Sequence, residues 1–277
     1  MPATPSNDIC VIQLDNPPVN ALSWPLRKAI LEQIALANAD SFVRAIVIAG
    51  SDRVFSAGAD ISEFDTDLGT RWPDLRDVIA AIEQSEKPVV AAITGTCLGG
   101  GLELALGCHA RVAHPDARIG LPESTLGLLP GAGGTQRLPR IVGAEKAVEM
   151  VTSGQHVGAK KCLEMGLVDE LAEEGKLREG AVAFANKIVA EKRPLKKIRD
   201  LNEKMEAARG KPEIFEKIRK ENARKFRGFL APEYNIQWIE AAVNLPFDEG
   251  IKVEQKLFRE LVTGTQSAAQ RHVFFAE

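Results

Sequence analysis

Cysteine is scarce in this chain of 277 residues, and its four cysteines never occur in the C-x-x-C spacing. Scattered cysteines argue against a zinc site and against a dithiol redox pair. Cys97 and Cys108 lie in apolar, glycine-rich surroundings, and we expect them to be small buried thiols in a reducing compartment. The histidines show no metal-ligand spacing either, so we expect structural or solvent-facing roles for them: His109, His114, His156 and His272.

Aromatic residues, net charge and long apolar runs are also limited. Aromatic residues make up 5% of the chain, too few to favour a base-stacking surface for single-stranded nucleic acid, and a net charge of −3 gives no strong attraction to polyanions. No apolar run approaches the length of a membrane span. The first eight residues show no signal or transit pattern, and the C-terminal Phe-Phe-Ala-Glu is not a Ser-Lys-Leu address. We therefore expect a soluble, cytoplasmic protein without a nucleic acid or membrane partner.

The first two thirds of the chain alternate short β-rich runs with helical stretches. The hydrophobic fraction of 45% is enough for a substantial core, and the alternation predicts an α/β fold with helices covering a sheet. Strands are predicted at residues 9–14, 44–49, 88–94, 110–113 and 167–171. Helices are predicted at residues 23–37, 74–85, 100–107, 144–152, 159–165 and 176–191.

After about residue 191 the strand signals end and charged, amphipathic helices take over. One such helix is marked by apolar residues at 214–218 and another by residues 234–243. A third is capped by Asp248 and ended by Gly264. We therefore predict a core at residues 1–190 and a C-terminal helical extension at residues 191–277.

Three segments rich in small residues stand out, and two of them directly follow buried strands. Residues 54–61 follow the strand at 44–49, and residues 95–104 follow the strand at 88–94. The third segment, residues 120–136, contains the pair Pro122-Glu123 and a glycine-rich turn. Two such turns can bring two backbone N–H groups together, and glycine allows a ligand to approach the main chain closely. With a helix N-terminus beginning there, the pattern suits an oxyanion that develops on a thioester carbonyl.

In this order and spacing, the three segments resemble those of the crotonase superfamily, also called the enoyl-CoA hydratase/isomerase family. The resemblance covers the whole chain and implies a ββα-spiral core followed by the helical extension. It assigns the oxyanion hole to the backbone N–H groups of Ala59 and Gly100. It also implies that residues of the same turns contact the substrate and its coenzyme A group: Ala57, Gly58, Asp60, Ile61 and Gly99.

The hydratases of this family use two catalytic glutamates, which correspond here to Glu103 and Glu123. The resemblance assigns Glu103 to the attacking water and Glu123 to the C2 proton, although the sequence itself does not divide these roles. The implied reaction is hydration of trans-2-enoyl-CoA to 3-hydroxyacyl-CoA in fatty-acid β-oxidation. It needs no metal or redox cofactor, because coenzyme A is part of the substrate. Burial beside a second carboxyl is expected to raise the pKa of one glutamate.

The last part of the helical extension, residues 246–277, is similar to the linker of multifunctional β-oxidation enzymes. Those enzymes fuse a hydratase/isomerase half to an NAD-dependent 3-hydroxyacyl-CoA dehydrogenase, so a dehydrogenase partner or fused domain is implied. Whether the chain is such a half or a stand-alone form stays open. The similarity adds Δ3-Δ2-enoyl-CoA isomerase activity, for which Glu123 alone can shuttle the proton. Homotrimer, hexamer and monomer are all compatible with the family.

Several alternative interpretations share the same residues. Taken singly, each glutamate could be structural. The helix dipole favours any glutamate at the position of Glu103, and Glu123 could be a residue that begins a helix. The same scaffold also carries isomerases and thioester hydrolases, and a non-catalytic coenzyme A or RNA-binding protein is the alternative of another class. The basic run at residues 192–199 is best explained as a solvated helix face.

Two motif-based interpretations are disfavoured, and two segments are assigned to the acyl pocket. Residues 131–136 are not a phosphate loop, because Gly134 stands where that motif requires lysine. No G-x-S-x-G motif of a serine hydrolase occurs. We predict instead that residues 133–135 form a turn and helix cap that shapes the acyl pocket, and that residues 64–75 border it.

Overall fold

The computed structural model describes residues 4–6 and 8–276, which divide into two compact units. The sheet unit comprises the described residues up to 119 together with residues 157–197. The helical unit comprises residues 120–156 together with the described residues from 198 onward. Residues 120–156 fall within the predicted core at residues 1–190, but they group with the C-terminal helices, because both helices within this segment pack against a long C-terminal helix.

The regular elements are mostly those expected from the sequence, with additional short strands. The strands are β1 (Thr4–Ser6), β2 (Ile9–Gln13), β3 (Ala45–Ala49), β4 (Val54–Ser56), β5 (Val89–Ile93), β6 (Thr96–Leu98), β7 (Ala110–Ala113), β8 (Arg118–Gly120), β9 (Val157–Gly158) and β10 (Glu170–Leu171). The helices are α1 (Trp24–Ala39), α2 (Leu75–Glu83), α3 (Gly100–Gly107), α4 (Gly134–Val142), α5 (Ala144–Ser153), α6 (Ala159–Glu164), α7 (Leu177–Ala190), α8 (Glu203–Glu206), α9 (Pro212–Phe226), α10 (Leu230–Asn244), α11 (Phe247–Val262) and α12 (Thr265–Ala276). Short 3-10 turns occur at Ile61–Glu63, Asp67–Gly69, Glu123–Leu126 and Ile198–Asp200.

A six-stranded sheet in the order β1-β2-β3-β5-β7-β10 forms the centre of the sheet unit. All its pairings are parallel except that of β1 with β2. The inner strands β3 and β5 are buried along their whole length, as continuous apolar runs in parallel sheets usually are. Helix α7 packs across this sheet through Phe184, Ala185 and Ile188. Burial of each large apolar side chain contributes about 1.5–3 kcal/mol to folding.

The strands of a second sheet, in the order β4-β6-β8-β9, lie along the chain between strands of the larger sheet. Strands β4, β6 and β8 each follow a strand of the larger sheet, and helices α2 and α3 follow β4 and β6. This is the ββα repetition expected for the spiral core, and the α/β fold class is confirmed. The second sheet could not be predicted from hydrophobic periodicity, because its strands have only two or three residues.

The predicted strand at residues 167–171 shrinks to the two residues of β10. The N–H groups of Leu167 and Val168 donate to the Cys162 carbonyl, and the Leu167 carbonyl accepts a hydrogen bond from Arg111. These contacts close a turn after α6, so only the last part of the segment reaches β7. Asp248 is not a helix cap as predicted, since α11 already begins at Phe247 after the N-cap residue Pro246.

The helical unit is organised around α10, which packs against α4, α5, α9 and α11. Its buried face includes Ile236, Trp238, Ile239 and Val243, each fully or almost fully shielded from solvent. Such an apolar stripe at helical spacing is the main source of stability for packed helices. None of the helices in the described part of the chain has the length and hydropathy of a membrane span.

Candidate active site

Two glycine-containing turns lie side by side in the sheet unit because the strands that lead into them are paired. Strands β4 and β6 run parallel, with Val54 opposite Thr96 and Ser56 opposite Cys97. The carboxyl ends of parallel strands lie at the same edge of a sheet. The turn that contains Ala59 therefore lies next to the turn that leads into α3.

The backbone amides of these two turns approach each other so closely that a Cβ on either glycine would make short contacts. A Cβ on Gly58, whose φ is +111°, would lie 3.0 Å from the Leu98 carbonyl oxygen and 3.2 Å from the Gly100 nitrogen. A Cβ on Gly100 would lie 3.1 Å from the Ala59 nitrogen and 2.8 Å from Leu75 Cδ2. Gly100 is the first residue of α3, so its N–H is not used inside the helix. The predicted donors Ala59 and Gly100 are thus brought together at a helix N-terminus, where an anionic oxygen is favoured.

Ser56 and Asn20 hold the first turn in place, and sequence reasoning missed both. The Gly58 N–H donates to Ser56 Oγ at 3.1 Å, and this hydroxyl donates to the Asn20 carbonyl at 2.7 Å. Asn20 Nδ2 donates to the carbonyls of Val54 and Phe55, at 3.3 and 3.2 Å. Asn20 has a φ of +51°, which asparagine tolerates better than most residues. No sequence pattern indicates these contacts, because the partners of Asn20 lie 34 to 36 residues away.

The predicted substrate-contact residues differ in their exposure. Ala57 is exposed, Asp60 and Ile61 are half-buried, and Gly58 and Gly99 are buried. The Asp60 carboxylate caps the 3-10 turn Ile61–Glu63, since it accepts from the Ser62 N–H at 3.1 Å and from the Ser62 hydroxyl at 2.6 Å. Asp60 therefore has a structural role, and substrate contact by these five residues stays a prediction.

Glu103 lies in the first turn of α3, in the sheet unit, and only 3% of the residue is exposed. Its N–H donates to the Gly99 carbonyl at 3.0 Å, so its backbone is fixed to the same turn as the Gly100 donor. The helix dipole favours a carboxylate in the first turn, whereas burial disfavours its charge. A buried carboxyl with these opposing influences is suited to exchange a proton.

Glu123 lies in the helical unit, where it begins the 3-10 turn Glu123–Leu126 and is half-buried. Its carbonyl accepts from the Leu128 N–H at 3.0 Å. Gly127, with a φ of +65°, ends the turn, and a Cβ there would lie 3.1 Å from Ser267 Cα in α12. The extension thus packs directly on the turn that carries Glu123. Joint action of Glu103 and Glu123, and a raised pKa for one of them, stay predictions.

The turn at residues 133–135 is held by a buried glutamate from the extension. The Gly133 N–H donates to Glu254 Oε1 at 2.7 Å, and the Thr135 hydroxyl donates to Glu254 Oε2 at 2.8 Å. Gly133 is the N-cap of α4, so the helix cap predicted at residues 133–135 is confirmed, and Thr135 lies in the first turn of this helix. No sequence pattern indicated Glu254, because it lies 119 residues from Thr135.

The cysteines and the buried histidine do not offer nucleophiles or metal ligands. All four cysteines are buried and free, and burial raises the pKa of Cys108 and of Cys162 to about 12. His109 Nδ1 accepts from the Val89 N–H at 3.0 Å, and burial lowers the pKa of His109 to about 4. The residues that the structure describes contain no group of three side chains suited to hold a metal ion. That the reaction needs no cofactor stays a prediction.

The chain is similar to known proteins along most of its length. Residues 4–231 match the family described as Enoyl-CoA hydratase/isomerase. The peroxisomal bifunctional enzyme of Danio rerio is 46% identical over 269 residues, which cover 97% of this chain and 37% of that protein. The fatty acid oxidation complex subunit alpha of Shewanella loihica is 40% identical over 284 residues, which cover 98% of this chain and 40% of that protein. The chain therefore spans about two fifths of the length of these curated relatives.

The fold also matches solved structures over nearly the whole chain. A crystal structure of enoyl-CoA hydratase subunit I from Geobacillus kaustophilus superposes with a TM-score of 0.63 at 28% sequence identity. The match covers 99% of this chain and 94% of that one. The helices after residue 198 are therefore included in the structural similarity.

Proposed function

This chain belongs to the enoyl-CoA hydratase/isomerase family, and we propose that it adds water to trans-2-enoyl-CoA to form 3-hydroxyacyl-CoA. The observation that carries the proposal is the close approach of the Ala59 and Gly100 amides at the start of a helix. A thioester oxygen that receives both N–H groups gains stabilisation as negative charge develops on it. The names of the relatives, which include fatty acid oxidation, support a role in fatty-acid β-oxidation.

In the proposed reaction, the two glutamates transfer protons while the amides stabilise the enolate. Glu103 accepts a proton from water as the water oxygen forms a bond to C3 of the substrate. The electrons of the C2–C3 double bond move to C2 and onto the thioester oxygen between Ala59 and Gly100. Glu123 then delivers a proton to C2, and proton exchange between the carboxyls restores the starting state. Acid–base catalysis of this kind contributes about 10²–10⁴-fold to the rate.

The direct test is the loss of enoyl-thioester absorbance when crotonyl-CoA is mixed with the purified chain. Glu103→Gln and Glu123→Gln should each lower kcat by about 10²-fold or more, because neutral amides cannot exchange the protons. Glu83→Gln is a control matched to Glu103→Gln, since Glu83 is also 3% exposed but lies on α2 outside the two turns. An inactive wild type, or glutamine variants as fast as wild type, would contradict the proposal.

A second activity, the shift of a Δ3 double bond to Δ2, follows from the family description and from the bifunctional relatives. It requires only that one carboxyl removes a proton from C2 and returns it to C4, and we assign this to Glu123. With 3-hexenoyl-CoA as substrate, Glu103→Gln should retain most isomerase activity and Glu123→Gln should lose it. Isomerisation that is lost equally in both variants would argue against this division of roles.

Three other functions remain as outcomes of the same assays. Release of free coenzyme A, detected with a thiol reagent, would identify a thioester hydrolase. Isomerisation of 3-hexenoyl-CoA without hydration of crotonyl-CoA would identify an isomerase. Tight binding of coenzyme A without turnover, or RNA binding that weakens steeply with salt, would identify a binding protein. We expect no activity to depend on a metal, so dialysis against a chelator should leave kcat unchanged.

The product, a 3-hydroxyacyl-CoA, calls for a dehydrogenase that oxidises its hydroxyl group with NAD. The curated relatives are more than twice as long as the matched region, which supports a dehydrogenase as a fused domain or separate partner. Formation of NADH in a mixture with an added 3-hydroxyacyl-CoA dehydrogenase would test the coupling.

Light scattering would distinguish monomer, trimer and hexamer. A cytoplasmic location stays a prediction, since relatives with peroxisomal names are among the matches.

A further inference from the structure

A buried arginine in α1 ties together the backbone around the two amide donors. Arg27 is 4% exposed. Its Nε donates to the Pro73 carbonyl at 3.1 Å, and its Nη2 donates to the Leu68 carbonyl at 2.7 Å. Its Nη1 donates to the Leu22 carbonyl at 2.7 Å and to Glu63 Oε2 at 2.8 Å. One guanidinium thus contacts three backbone carbonyls, two of which lie 41 and 46 residues away, together with one carboxylate.

The carboxylate of Glu63 extends this network to the start of α1. Its Oε1 accepts from the Trp24 N–H at 2.7 Å, so both carboxylate oxygens are used, and the residue is 5% exposed. The Trp24 indole donates to the Trp72 carbonyl at 2.8 Å, and the Arg71 guanidinium lies 4.3 Å from the Trp24 ring centre. The segment at residues 61–73 is therefore attached to α1 at both of its ends.

The same network reaches both sides of the amide pair. On one side, Leu22 forms a parallel bridge with Ala59, and the Leu22 N–H donates to the Gly58 carbonyl at 2.8 Å. On the other side, Leu75 follows two residues after Pro73, and its Cδ2 lies against Gly100. Displacement of the guanidinium would therefore release the Ala59 turn from one side and the covering Leu75 from the other.

We propose that Arg27, with Glu63 as its partner, is a positioning residue that sets the spacing of the Ala59 and Gly100 N–H groups for catalysis. The inference rests on the proposed function and extends it to residues that do not touch the substrate. Arginine suits this role because its rigid, planar fork presents donors in fixed directions, whereas lysine presents one charged point. A buried ion pair adds little net stability compared with apolar residues, but it fixes geometry when every atom is satisfied.

The test compares Arg27→Lys and Glu63→Gln with Arg111→Lys as a matched control. Arg111 is also a buried arginine that donates to backbone carbonyls and pairs with a carboxylate, Asp169, at 2.8 Å. Its contacts lie outside the two amide turns. Arg27→Lys should lower kcat for crotonyl-CoA by about 30- to 100-fold, because a misplacement of about 1 Å can lower a rate by about 10²-fold. The KM of Arg27→Lys should stay within about threefold of the wild-type value. For Arg111→Lys, both kcat and KM should stay within about threefold of wild type, after correction for the fraction of folded protein.

A second measurement does not depend on turnover. The bound thioester 4-(dimethylamino)cinnamoyl-CoA absorbs at longer wavelength when its carbonyl is polarised by hydrogen-bond donors. At saturation, wild type and Arg111→Lys should show this shift, and Arg27→Lys and Glu63→Gln should lose at least half of it. If wild type shifts the spectrum but does not hydrate crotonyl-CoA, the proposed function fails while the positioning role is still decided by the variants.

Some results would overturn the positioning role. These are a full spectral shift with unchanged kcat in folded Arg27→Lys and Glu63→Gln, or an equal loss in Arg111→Lys. A wild type that binds the probe without any shift would also overturn it, because no donor pair would then act on the carbonyl. If Arg27→Lys does not fold, Glu63→Gln decides the question, since it keeps the arginine and the shape of its partner.

Discussion

The two units hold their candidate catalytic groups by different physical means. In the sheet unit, paired strands and glycine backbones fix the Ala59 and Gly100 amides, and Glu103 is fixed to the same turn. In the helical unit, the turn of Glu123 depends on contacts with helices more than 100 residues away, such as Asn235 Nδ2 to the Leu128 carbonyl. Local backbone geometry therefore fixes the candidate groups of the sheet unit, and long-range packing fixes the turn of Glu123 in the helical unit.

The largest effect should come from adding one methyl group to the backbone donors of the sheet unit. Gly100→Ala places a Cβ 2.8 Å from Leu75 Cδ2 and 3.1 Å from the Ala59 nitrogen. We expect kcat to fall by about 10²–10³-fold, as when an oxyanion donor is lost. Gly158→Ala is the control, because only Arg118 lies within 4 Å of that Cβ, at 3.5 Å. Equal crotonyl-CoA hydration by both variants would show that the amide spacing is not critical.

In the helical unit, the comparable change is Glu254→Gln. The amide replaces one of two carboxylate oxygens with a donor that faces the Gly133 N–H or the Thr135 hydroxyl. We expect the free energy of unfolding in urea to fall by about 1–3 kcal/mol, with a smaller loss of kcat than in Gly100→Ala. The exposed Glu249→Gln serves as control. If kcat falls as much as in Gly100→Ala, the helical unit controls catalytic geometry as tightly as the sheet unit.

A pH effect on stability is expected from His109 of the sheet unit. Burial lowers its pKa from 6.5 to about 4, so the folded protein holds the neutral ring. The stabilisation is complete above pH 6.5 and is lost as the pH falls toward 4, by about 3 kcal/mol in total. His109→Asn can keep an acceptor for the Val89 N–H but does not titrate. Urea unfolding at pH 7 and pH 5 should therefore show a smaller pH dependence in this variant, and an identical dependence would exclude His109 as the cause.

The smallest effect should come from an exposed ion pair of the helical unit. Lys146 and Glu149 on α5 lie 2.6 Å apart, three residues apart in sequence. Replacement of Lys146 by Met should change the free energy of unfolding by about 0.5 kcal/mol or less, because such pairs are solvated. A change as large as that of Glu254→Gln would show that surface charges, and not the buried contacts, stabilise this unit.

The sequence was most informative where the physical cause is local. Helix α3 has the predicted bounds, and the glycines next to Glu103 indicated the donor turn, because strand, turn and helix follow one another within about twenty residues. The short second sheet, the Arg27–Glu63 pair and the Glu254 contact could not be predicted. Each depends on contacts between residues that lie 36 to 121 positions apart, and the spacing of residues in a single sequence does not reveal such contacts.

The use of main-chain amides as the proposed anion site also determines how the chain can vary. A substitution that shortens the side chain removes a carboxylate such as that of Glu103. No such substitution removes the backbone N–H of Ala59 or Gly100. Among the common amino acids, only proline lacks the backbone N–H hydrogen. Every other substitution at Ala59 therefore keeps the hydrogen-bond donor. At Gly100 the damage comes from added volume, because a Cβ there would meet Leu75 Cδ2 and the Ala59 nitrogen. We therefore expect a saturation library to tolerate many residues at Ala59 and almost none at Gly100.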